Sequence, residues 1–120
     1  MIAIEKVRAV CQQMPKYSAI VKNPSRSPRA QDFYDFNLIL EHFKIDLSSA
    51  ANIELFKCII EAKRVPLSFM ELIPNEREYH RSDFDKVRIT VRQDVKLESY
   101  DFYFDYMVGR VLALKPLWVK

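Results

Sequence analysis

The sequence predicts an α+β fold, a small antiparallel sheet with helices packed on one of its faces. Three observations lead there. Apolar side chains recur every three or four positions in residues 2–14 and again in 48–64, which is the period of a half-buried helix. They alternate strictly in residues 86–93, which is the period of a strand wet on one face. Two aromatic-rich stretches, 31–47 and 99–115, fit both periods and leave the extent of the sheet open.

In residues 2–14 the stripe is Ile4, Val7, Cys11 and Met14, with Glu5, Arg8 and Gln12 on the other side and Pro15 as the stop. Tyr17, Ala19 and Val21 alternate as a short strand would. Residues 23–29 carry two prolines and no apolar side chain, so they read as a polar loop. Phe33, Phe36, Leu40 and Phe43 suit a helix capped by Asp32, whereas Tyr34, Phe36, Leu38 and Leu40 suit a strand; length tips the balance to helix. In 48–64 the pattern is clearer. Ser48 or Ser49 caps, Ile53, Phe56, Ile60 and Lys63 form the stripe, and Glu54, Lys57, Glu61 and Arg64 line the opposite side before Pro66.

Residues 86–93 carry Val87, Ile89 and Val91 on one side of the expected strand and Lys86, Arg88, Thr90 and Arg92 on the other. In 99–115 the helical stripe is Tyr100, Tyr103, Met107, Val111 and Leu114, with Ser99 as cap and Pro116 as stop, so a helix is favoured despite Gly109 within it. The two helices of clear period, 2–14 and 48–64, are expected to cover the apolar face of the sheet.

A chain of 120 residues, 49% of them hydrophobic, is expected to form a single domain over its whole length. Gly109 is the only glycine. Phosphate-cradling loops, the dinucleotide fingerprint and the strained nucleophile turn all depend on glycine's access to positive φ, so those classes are excluded. The net charge of +3, from 19 basic and 16 acidic residues, is too mild to argue for a nucleic-acid partner from bulk charge. Cys11 and Cys58 lie in apolar stretches and read as buried thiols. Charged residues in the first turns and the lack of a long apolar run point away from a leader or membrane span, so a cytoplasmic location is expected.

The chemistry-bearing candidates are few. Glu61-Ala62-Lys63, after an apolar run and with Asp46 upstream, resembles the second motif of restriction-type nucleases. That resemblance implies two carboxylates on Mg²⁺ and a lysine steadying the attacking water. It requires an extended segment, so that Glu61 and Lys63 share a face, and the helical period of 48–64 opposes it. Glu76, Glu78, His80, Asp83 and Asp85 are ligand types for zinc or manganese, but with arginines interspersed and no second histidine nearby they read as a charged loop. His42, beside Phe43, reads as partly buried. No cofactor is expected.

The binding feature that stands out is the wet face of the expected strand. Lys86, Arg88 and Arg92 would emerge from it at roughly 7 Å per two residues, a spacing that suits an acidic protein surface or a phosphate backbone. Tyr100, Tyr103 and Tyr106 would flank it, and Tyr and Arg dominate interface hot spots. The expected function is therefore that of a small non-enzymatic accessory, adaptor or inhibitor protein binding a protein partner. Nucleic-acid binding through the same face is the alternative, and the nuclease a further one. Trp118 near the end of the chain would serve as an anchor if the protein is an obligate subunit.

Overall fold

In a computed structural model, which describes residues 1–21 and 26–119, all the regular structure is helical. Among those residues there are six α-helices, three 3₁₀ segments and no strand. The expected antiparallel sheet is absent, and with it the α+β class. Part of the expected polar loop, residues 23–25, lies outside the described residues.

Helix α1 (Ile2–Cys11) buries Ile4, Val7 and Cys11, the stripe its period predicts, together with Ala3 and Val10. The short strand expected over Tyr17, Ala19 and Val21 is instead a 3₁₀ turn, Pro15–Ala19, begun by a proline whose fixed φ suits a first helical position. Helix α2 (Ala30–His42) is the ambiguous aromatic stretch resolved as helix. Its N-cap is Arg29 rather than Asp32, which lies buried in the first turn. Helix α3 (Ala50–Ala62) starts at Ser49, whose side chain accepts from the Asn52 N–H at 3.3 Å, and it buries Phe56 and Ile60.

Both α2 and α3 end without glycine. Lys44 and Arg64 take left-handed φ values of 51° and 61°. In that geometry Ile45 N–H reaches back to Leu40 C=O at 3.0 Å and Val65 N–H to Ile60 C=O at 3.3 Å, the six-to-one bond of a Schellman stop.

A run of 3₁₀ turns, Leu67–Glu76, leads into two short helices, α4 (Arg77–Arg81) and α5 (Phe84–Thr90). Helix α5 occupies the place of the clearest expected strand. Phe84 and Val87, three apart, point inward, Val91 follows four further on, and Ile89 is left 83% exposed. A helix seats these groups on one face, where the strand reading would have needed Ile89 inside as well. Helix α6 (Tyr100–Leu112) begins at Ser99, whose hydroxyl accepts from the Phe102 N–H at 3.2 Å, as its cap signal predicts.

Helix α2 is the centre of the packing, with α1 and α6 laid against it and α5 beside its N-terminal half. Its Phe33 stacks on Phe104 of α6 with ring centroids 5.0 Å apart, and its Tyr34 meets the edge of Tyr103 at 5.1 Å. Helix α3 packs against α1. There the Tyr17 hydroxyl donates to the Lys63 carbonyl at 3.1 Å, tying the 3₁₀ turn to the end of α3. The buried apolar side chains of all these elements form one continuous cluster.

Candidate partner-binding groove

Helical geometry redistributes the residues of the expected basic strand. Lys86 and Arg88, two apart on α5, diverge by about 200° around its axis instead of sharing a face. Arg92 lies beyond the helix. Each cation closes an ion pair with a local carboxylate: Lys86 with Asp83 at 3.3 Å, Arg88 with Asp85 at 3.0 Å and Arg92 with Asp94 at 2.9 Å. The continuous stripe is thus a set of separated, locally neutralised pairs.

The three tyrosines are placed by packing. Tyr100 is buried, its hydroxyl donating to the Arg77 carbonyl at 2.8 Å, and burial pushes its phenol well above the ordinary range. Tyr103 is buried too, accepting from the Glu98 N–H at 3.0 Å. Tyr106 is half-buried, donating to Glu41 with the Arg110 guanidinium 4.1 Å above its ring; desolvation and the Glu41 bond push its pKa up to about 12. These rings hold α6 against α2 and α4, and Tyr100 and Tyr103 present no open stacking face.

The concave feature lies beside them. Gln31, Tyr34 and Leu38, at helical spacing on α2, make one wall of a groove of about 460 Å³. Thr90 at the end of α5, with Val91, Arg92 and Val95 after it, makes the other. Its surface is largely apolar, and Leu38 and Val95 remain 45% and 43% exposed. The Thr90 hydroxyl donates to the Val87 carbonyl, and Gln31 donates to Asp35 at 2.8 Å, so the polar wall groups already have partners. Of the expected binding residues only Arg92 belongs to this groove. Tyr34, Leu38, Val91 and Val95 were missed. Their signal was the excess of apolar residues on the 31–47 helix, where Leu38 has no place on the stripe that faces the core.

The junction at the start of α2 is more tightly built. His80 is fully buried, and its Nδ1 accepts the backbone N–H of Arg29 at 2.8 Å. Asp83 accepts the N–H of Ala30 at 3.2 Å. The first amides of α2 are therefore capped by side chains of the α4–α5 corner, in place of a cap of its own. Burial, with Arg29 and Arg26 nearby, pulls the His80 pKa down to about 4 against an opposing pull from Asp83.

The other candidates are also placed. Residues 50–62 are helical, so the extended segment that the nuclease resemblance requires is not formed; Lys63 is the C-cap of α3. The Asp46 carboxylate accepts from the hydroxyl and amide of Ser48, which hold it below the usual carboxylate range. Of the expected charged loop, Glu78 pairs with Arg81 and Asp85 with Arg88, on helices rather than a loop. Among the described residues, no group of three or more His, Cys, Asp or Glu is arranged to hold a metal ion. Cys11 is buried, as expected, but Cys58 is exposed on α3, and His42 is exposed rather than partly buried. Trp118 is half-buried against the core. Among the described residues no helix is long and apolar enough to cross a membrane. Compared with protein-family models, curated proteins and solved structures, the chain matches none.

Proposed function

We propose that this chain is a protein-binding module, taking apolar side chains of a partner segment into the groove between α2 and the end of α5. The observation that carries the reading is the groove itself: Tyr34, Leu38, Val91 and Val95 form an apolar trough at the surface that no other part of the described chain fills. Concave, mostly apolar sites with a few polar groups at the edge suit side-chain capture, and Arg92 supplies a charged edge. A protein partner is preferred to nucleic acid because Lys86, Arg88 and Arg92 each already face a carboxylate, with which a phosphate would have to compete.

Site-specific photo-crosslinkers test it directly. A crosslinker at Leu38 or Val95 is expected to trap one discrete protein, and one at the exposed Ser18 is not. Leu38→Glu is expected to abolish the adduct at Val95 without unfolding the chain. Equal trapping at Ser18, or no adduct from the groove, would refute the reading; a steeply salt-dependent mobility shift with DNA or RNA would replace the protein partner with a nucleic acid.

A further inference from the structure

His80 and Arg29 are 51 positions apart in the chain, yet a hydrogen bond between them joins the α4–α5 corner to the start of α2, next to the bond from Ala30 to Asp83. The bond fixes the tautomer. Because Nδ1 accepts from the Arg29 amide, the proton of the neutral ring sits on Nε2, which has no hydrogen-bond partner among the described residues. A proton arriving from solvent can therefore add only to the Nδ1 lone pair, the one that receives the Arg29 N–H. Once it does, two donors face each other and the bond is lost.

The surroundings do not favour the imidazolium. Arg26 and Arg29 approach from the segment before α2, and Arg26 lies over the Tyr79 ring next to His80. The first amides of α2 present the positive end of a helix dipole. Phe33 of α2 packs on the ring at 5.3 Å, with Tyr100 of α6 behind it. Asp32 faces away to Arg29 and to Lys6 of α1, and Glu78 and Arg81 pair with each other along α4. Asp83 is the one nearby anion that favours the charged ring, and it is shared between the Ala30 amide and Lys86.

We infer that His80 is an acid-sensitive latch: protonation at Nδ1 releases the Arg29 amide, leaves the Asp83–Ala30 bond to hold the first turn of α2 to the α4–α5 corner, and so loosens the groove those helices wall. The coupling is short. Gln31, a wall residue, follows directly on the latched Arg29 and Ala30, and α5 begins directly after Asp83. The consequence for partner binding rests on the proposed groove; the latch itself does not.

An NMR titration of the intact chain from pH 7.5 to 4 tests the latch without a partner. His80 is expected as the Nε2–H tautomer at neutral pH and to protonate only near pH 4. The Arg29 and Ala30 amide resonances are expected to move with the same midpoint, and the Leu38 and Val95 methyls with them. His80→Asn, which places a carbonyl acceptor near the position of Nδ1, is expected to hold those amides fixed over the same range. Should that variant not fold, the wild-type titration decides alone. Arg29 and Ala30 amides that ignore the His80 titration, or a His80 that protonates at the ordinary value of 6.5, would overturn the inference. If the amides follow His80 but nothing crosslinks at the groove, the latch stands and the proposed function falls. If a partner crosslinks but the amides do not follow, the reverse holds.

Discussion

The imidazole of His80 and the backbone amide of Arg29 meet at 2.8 Å, so that a buried side chain of α4 does the capping that α2 cannot do for itself. This relationship makes stability depend on pH with a definite sign. The folded state keeps His80 neutral down to about pH 4, whereas the unfolded chain binds the proton near 6.5. Between those values the unfolded state carries more protons, so stability is complete above 6.5 and falls as pH drops toward 4. A shift of this size corresponds to about 3 kcal/mol. Urea midpoints measured at pH 7 and pH 4.5 are expected to differ in that direction, with the difference reduced in His80→Asn.

A second prediction separates the helical α5 from the strand its sequence suggests. Ile89→Lys is expected to leave stability within ~0.5 kcal/mol of wild type, because the side chain is 83% exposed. Val87→Ala is expected to cost about 1.5–3 kcal/mol, because Val87 is fully buried. An alternating strand would make the two losses similar. Thermal unfolding of both variants checks it.

That contrast also shows where the sequence stops being informative. Helices α1, α3 and α6 are legible because each runs ten residues or more with a full apolar stripe, and α3 and α6 add a serine cap. Residues 86–93 are not. Val87 and Val91 satisfy a period of two and a helical spacing of four equally well, and no local signal says that Ile89 is the apolar residue left in water. With only seven residues, α5 owes its helicity to docking Phe84 and Val87 on the rest of the core, a tertiary effect invisible in the local pattern. The groove was hidden for the same reason. Tyr34 and Leu38 are readable as a spacing of four, but their meeting with Val91 and Val95 depends on where α5 docks.

Backbone conformation gives a third prediction. A Cβ added at Gly109 meets nothing within 4 Å, so Gly109→Ala is expected to stabilise α6 by about 1 kcal/mol. Arg64 is the opposite case, a side chain held at φ 61°, and Arg64→Gly is expected to stabilise by roughly 0.5–1 kcal/mol. Denaturant midpoints would show both shifts in the same direction from chemically inverse substitutions.

The serine caps supply a fourth. Ser99→Ala and Ser49→Ala each leave an end amide without its hydroxyl acceptor and are expected to cost about 1 kcal/mol apiece. Replacing either with Asp is expected to recover the loss, which equilibrium unfolding measures.

The site proposed for a partner exists only if residues 84–90 coil and set their cations apart, leaving Val91 and Val95 opposite α2. Backbone ¹³Cα shifts of the labelled protein report this residue by residue. Helical deviations from Phe84 through Thr90, with Tyr34 ring protons showing contacts to the Val91 methyls, are the predicted result. Extended-type shifts across Lys86, Arg88 and Thr90, with cross-strand contacts in their place, would contradict the fold and remove the groove with it.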